Sequence, residues 1–218
     1  MKIEVFLPSA YPIVQIVLAP NETFKAESTC FVAMSDGIQV ETRMMGGQIK
    51  TYSKSLRGED FYFNTYRAIE NDGEVLLSPR FPGDVTIHTL ANSSLLLQPA
   101  AFLAAQEGIK VEPIWRGGGA FAGRGLQFLR CSGNGKLIFS SYGALYVKTL
   151  KAAQRFTIDT GHLVALDEKL QPRIRQLGAS TNVTLGEEQV VDLHGPGTVY
   201  LQTRSQDILM KWLQNRLG

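Results

Sequence analysis

Cysteine is nearly absent. Cys30 and Cys131 are the only two, they stand far apart, and neither belongs to a CxxC or Cys/His cluster. That excludes a disulfide framework and a structural zinc site, and two lone thiols read as buried free cysteines of a reducing compartment. Histidine is as scarce: His88, His162 and His194 have no second histidine within five residues, so the clustered imidazole and carboxylate ligands of a metal-holding β-barrel are not indicated. Neither a metal nor a cofactor is expected.

An excess of charge of one sign is missing too. With 22 Lys and Arg against 20 Asp and Glu the formal charge is +2, and no global field draws nucleic acid, an anionic membrane or an acidic substrate. Long apolar runs are also lacking. The opening stretch is broken at Pro8, Pro12 and Gln15 and lacks the arrangement of a signal peptide, and no run approaches the ~20 residues that span a bilayer. The expectation is a cytoplasmic protein without a transmembrane segment.

What is there is a repeat. The hydrophobic share is 44% and the charged share 19%, which is the composition of a folding, globular chain. Phe31-Val32-Ala33-Met34-Ser35-Asp36-Gly37-Ile38 matches Phe102-Leu103-Ala104-Ala105-Gln106-Glu107-Gly108-Ile109, and Leu163-Val164-Ala165-Leu166-Asp167-Glu168-Lys169-Leu170 follows the same pattern. A second set begins at Gly73, Gly135 and Gly197, 62 positions apart each time. A third pairs Gly83-Asp84-Val85 with Gly143-Ala144-Leu145. Anchors in one order at one period define tandem units. They fall at 1–81, 82–141 and 142–204, with a helix over 205–218.

Within each unit short runs of Val, Ile, Leu, Phe and Tyr are bounded by Gly, Pro, Asn or Asp. Asn71-Asp72-Gly73, Gly133-Asn134-Gly135 and Gly195-Pro196-Gly197 stand at hairpin positions. These signals predict an all-β sandwich or barrel. Helical periodicity appears only at the end, where Ser205 is placed to cap a helix whose Ile208, Leu209, Trp212, Leu213 and Leu217 form one apolar stripe, expected to dock on a sheet. A sixty-residue unit buries too little surface alone, so three should pack edge to edge, and edges left over at the ends can be closed by further chains in a ring.

The stretches Asp159-Thr160-Gly161-His162-Leu163-Val164-Ala165, Gly195 to Ser205 and Gly58-Glu59-Asp60-Phe61-Tyr62-Phe63-Asn64-Thr65 resemble the signatures of a widespread bacterial and archaeal family of unknown function. Its relatives include the fungal mitochondrial inner-membrane protein named for altered inheritance of mitochondria. The likeness runs from about Thr23 to Leu217. It implies a fold like the tryptophan RNA-binding attenuation protein (TRAP-like), a short double-stranded β-helix repeated three times per chain, and a homotrimer forming a ring of nine units. The family-motif positions are Asp159, Gly161, His162, Gln202, Thr203 and Arg204. The chain departs from the family pattern at Arg124, where an acidic residue is expected, and at Gly186-Glu187-Glu188-Gln189, where the family reads Gly-Glu-Gly.

His162 follows Asp159 by three, which suits either an acid/base pair or a turn locked by Asp159 and Gly161. There is no GxSxG elbow, and the glycine-rich Arg116 to Gly125 stretch leads into a strand rather than a helix, unlike a phosphate loop. RNA binding needs basic groups beside exposed aromatic rings. Lys50, Tyr52, Lys54 and Arg57 in an insertion confined to the first unit, and Trp115, Arg116, Phe121 and Arg124 around the glycine loop, are the candidates. With no convergent catalytic cluster, the chain reads as a non-catalytic, self-assembling scaffold or accessory factor with protein partners. RNA or small-ligand binding on the ring surface is the alternative.

Overall fold

The computed structural model describes residues 1–8, 11–44, 62–117, 125–177 and 188–217. Its strands form where apolar residues alternate. In β2 (Ile13–Leu18), after β1 (Lys2–Phe6), Val14, Ile16 and Leu18 are fully buried while their neighbours are half exposed, the period of two of a half-buried strand. The chain continues through β3 (Thr23–Glu27), β4 (Phe31–Met34), β5 (Ile38–Met44), β6 (Tyr62–Ala68) and β7 (Gly73–Leu77). Strands β1-β2-β7-β4 make one sheet, and β3, β6 and β5 belong to a second. The Phe24 ring of β3 stacks on Tyr66 of β6 at 4.9 Å.

The middle of the chain has fewer, longer strands: β8 (Val85–Leu97), β9 (Phe102–Gln106), β10 (Ile109–Gly117) and β11 (Gly125–Ser140). Strand β8 pairs from end to end with residues 129–140 of β11, with one register shift between Gly133 and Asn134. Asn92 (φ 49°) and Gly133 (φ 126°) both take positive φ there. A bulge of this kind bends a strand pair, and beyond it β11 changes neighbours, from β10 in its N-terminal half to β9 in its C-terminal half. Strands β12 (Leu145–Leu150), β13 (Arg155–Asp159), β14 (Leu163–Asp167), β15 (Arg173–Leu177), β16 (Glu188–His194) and β17 (Gly197–Gln202) follow, then helix α1 (Gln206–Leu217). The chain is all-β, with one α-helix among the described residues.

One local arrangement recurs. Short 3₁₀ turns at 28–30, 99–101 and 160–162 lead into β4, β9 and β14. Each of these strands pairs antiparallel with β7, β11 or β17, and each ladder has a register irregularity. Two further pairings join successive stretches of chain. Strand β3 meets β9 as Phe24↔Gln106, Lys25↔Ala105 and Ala26↔Ala104, and β8 meets β14 as Leu95↔Asp167, Leu96↔Leu166 and Leu97↔Ala165. Strand β4 ends the four-stranded sheet, and β13 ends the three-stranded sheet β13-β16-β15.

The interior follows the same joins. Leu103 and Ala104 of β9 and Ile138 of β11 pack into the cluster of Val14, Phe24 and Val75. Val164, Ala165 and Tyr200 likewise enter the cluster of Leu97, Phe102 and Phe139. Each stretch completes its neighbour's core, as segments of this size require.

The expected docking of α1 on a sheet is corrected. Ser205 does cap the helix, its Oγ accepting the Ile208 N–H at 3.4 Å, but no helical residue is buried. Ile208 is 59% exposed and Trp212 53%. The helix stands against the 160–162 turn, with Leu209 and Leu213 of the stripe half-buried and Ile208, Trp212 and Leu217 exposed. Among the described residues no helix is long and apolar enough to cross a membrane.

Candidate functional site

The family-motif residues come together where β13 turns into β14 beside the end of β17. Asp159 Oδ1 accepts the Gly161 N–H at 2.7 Å, and Gln202 Nε2 donates to the Gly161 carbonyl at 2.8 Å. Gln202 Oε1 accepts the Tyr142 N–H at 2.9 Å. His162 Nδ1 lies 2.8 Å from the Gln202 carbonyl. A carbonyl only accepts, so Nδ1 carries the proton. Thr203 Oγ1 accepts the Ala144 N–H at 2.9 Å, and the Arg204 N–H donates to the Tyr142 carbonyl at 3.2 Å. Asp159 and His162 thus turn to different partners, and the contacts favour the locked turn over an acid/base pair. A methyl group on Gly161 would collide with Ser205 Oγ, so glycine is what allows α1 to start against this turn.

Of the RNA-binding candidates, Trp115 and Arg116 are described; Lys50, Tyr52, Lys54, Arg57, Phe121 and Arg124 lie outside the described residues. Trp115 is partly exposed. Arg116 Nη2 donates to Glu168 Oε1 at 3.0 Å, Arg130 Nε donates to Glu168 Oε2 at 2.8 Å, and Ser94 Oγ donates to the same oxygen at 2.6 Å. Burial alone would raise Glu168, but the Ser94 hydroxyl and the two guanidiniums outweigh it and hold the carboxyl below its ordinary value. Arg116 is therefore engaged in an ion pair with a carboxylate that it shares with Arg130.

Neither thiol is poised for chemistry. Cys30 is buried and donates to the buried Glu27 carboxylate at 3.2 Å. Burial, then the Glu27 contact, pushes its pKa far up. Burial pushes Cys131 up to about 12. Both stay protonated at neutral pH, and a protonated thiol is a poor nucleophile. Among the described residues no group of three or more His, Cys, Asp and Glu side chains is placed to hold a metal ion.

One of the leftover edges that the tandem repeat calls for falls at β4. Phe102 to Ala105 of β9 and Leu163 to Leu166 of β14 are buried, yet in the matching β4 Phe31 is 42% exposed, Val32 48% and Met34 45%. The signal was in the repeat itself: of three like apolar strands, β9 is joined by β3 and β14 by β8, while β4 ends its sheet.

The profile described as Mitochondrial biogenesis AIM24 matches residues 5–204. The chain belongs to the AIM24 family. Among similar proteins is an uncharacterised protein of Streptococcus pyogenes serotype M6, 25% identical over 203 residues that span 88% of this chain and 82% of that protein. A crystal structure of a Streptococcus pyogenes protein, from a structural genomics programme, superposes with a TM-score of 0.80 over 99% of each chain at 21% identity. At that identity the likeness establishes the fold, which this AIM24-family chain shares with its bacterial relative from end to end.

Proposed function

We propose that this AIM24-family chain is a non-catalytic assembly protein. It consists of three TRAP-like units, 1–81, 82–141 and 142–204, followed by the helix of 205–218, and closes with two further copies into a ring-like homotrimer. The ring serves as a scaffold or accessory factor for protein partners. One observation carries this reading: β3 joins β9 and β8 joins β14 in one register, while the strands left over at the two ends, β13 and β4, are open. The number of copies comes from the nine-unit ring that the TRAP-like resemblance implies.

The motif side chains support a structural role because they bond to one another and to backbone. In this reading the protein works in the cytoplasm, where free thiols such as Cys30 and Cys131 persist. Nucleic-acid binding has less support, since Arg116 is held by the Glu168 carboxylate that it shares with Arg130 and the formal charge is only +2. Native mass spectrometry of the full chain at micromolar concentration tests the assembly. A trimer is expected; a monomer overturns the ring, and a trimer carrying bound RNA or a metabolite overturns the scaffold role.

A further inference from the structure

We infer that β4 of one copy pairs antiparallel with β13 of a second copy of this chain, in the register Ile158↔Ala33, Thr157↔Met34 and Phe156↔Ser35, sealed by an ion pair between Arg155 and Asp36. The inference rests on the ring assembly proposed above and specifies its contact.

The register follows from the two joins inside the chain. Ala33, Ala104 and Ala165 are matching positions, as are Ala26, Leu97 and Ile158, each of which stands just before the residue that opens a 3₁₀ turn. Ala26 faces Ala104 and Leu97 faces Ala165. The third combination, Ile158 with Ala33, is not made within the chain, where the two strands end different sheets. A second copy supplies it.

Burial agrees. Both β9 and β14 are covered by the strand that pairs with them, and their apolar side chains are inaccessible. Strand β4 carries side chains of the same kind without that cover. An open edge of exposed apolar residues is a template for another strand, and β13 is the strand whose two counterparts already perform this task.

Charge agrees as well. At each internal join the acid following the covered strand accepts from the residue just before the covering strand's paired stretch. Thr23 Oγ1 donates to Glu107 Oε2 at 2.7 Å, and Ser94 Oγ donates to Glu168 Oε2 at 2.6 Å. The matching positions at the open ends are Arg155 and Asp36, both exposed. A hydroxyl to carboxylate bond within the chain is replaced between copies by a guanidinium to carboxylate pair, the stronger and more orienting contact. Arg155 and Asp36 complement each other across such a junction, which points to the chain itself as the occupant rather than an unrelated strand.

The test combines charge reversal with crosslinking on the full chain. Asp36→Arg and Arg155→Asp should each raise the concentration at which the assembly dissociates by about tenfold or more, and the two together should restore it, with circular dichroism unchanged because both positions are exposed. Met34→Cys combined with Thr157→Cys should oxidise into intermolecular disulfides, since directly opposed residues lie within bridging distance. Met34→Cys with Phe156→Cys should not. A wild-type trimer with neither rescue nor the register-specific crosslink overturns this junction and leaves the ring standing. A wild-type monomer removes both.

Discussion

Arg130 Nε donates to Glu168 Oε2 at 2.8 Å, and this bond ties the long strand β11 to the turn that follows β14. With Ser94 and Arg116 on the same carboxylate, three segments of the chain converge on one side chain.

Glu168→Gln should therefore destabilise the protein at neutral pH by about 1–2 kcal/mol, the range for hydrogen bonds to a partly exposed charged group. The pH dependence has a definite sign. A carboxyl held low in the folded state contributes fully above the ordinary glutamate range, and that contribution is lost as pH falls through its folded value. Urea unfolding from pH 7 downward should show the wild type losing its advantage over Glu168→Gln below about pH 4.5. An advantage constant over that range would contradict the assignment.

Gly161→Ala should cost about 1–3 kcal/mol through overpacking against Ser205 Oγ and Asp159 Oδ1. In a Ser205→Ala background the same change should cost less, because the colliding hydroxyl is gone. A double-mutant cycle on unfolding free energies reads the difference, and strict additivity would mean that the turn and the helix start are not in contact.

His88 lies against Tyr200, whose hydroxyl is 3.2 Å from His88 Nδ1. Burial lowers its pKa, against a smaller opposing pull from Asp167. The folded state thus binds the proton less readily than the unfolded one, and stability is whole above the usual histidine value of about 6.5 and declines as pH drops below it. Proton NMR should place the His88 midpoint below 6.5, and His88→Gln should flatten that part of the stability profile.

Deleting 206–218 should leave the unfolding free energy of the dissociated chain within about 1 kcal/mol of the intact one, because no residue of α1 is buried. Chemical denaturation of the Asp36→Arg background, with and without the deletion, provides the comparison. A larger loss would show that the helix is docked after all.

Much of this was legible in the residues. Gly73 and Gly197 do open the strands that pair with β4 and β14, because a turn into a strand imposes the same backbone demands each time, whereas Gly135 lies inside β11, two residues before its pairing with β9 begins. The locked turn at Asp159 was legible for the same reason. The stripe on α1 was misread because periodicity reports which face is apolar and not what covers it. The continuity of β8 and β11 was hidden because Asn92 and Gly133-Asn134-Gly135 look like chain reversals, yet they form a bulge stitched by Asn134 Nδ2 to Asn92 Oδ1 at 2.6 Å. Glu168 drew no notice because its partners Ser94, Arg116 and Arg130 are distant in sequence and meet only once the strands have paired.

The unbroken run of β8 and β11 through the middle of the chain bears on how the protein comes apart. Tandem arrays usually melt piecemeal, since each module touches only its neighbours through a modest interface. Here Leu97 and Phe139 belong to the same two strands as Leu90 and Leu129, and no seam crosses them at which one module could open while the next stays shut. Heat should meet a single cooperative body, with a calorimetric enthalpy equal to its van't Hoff value.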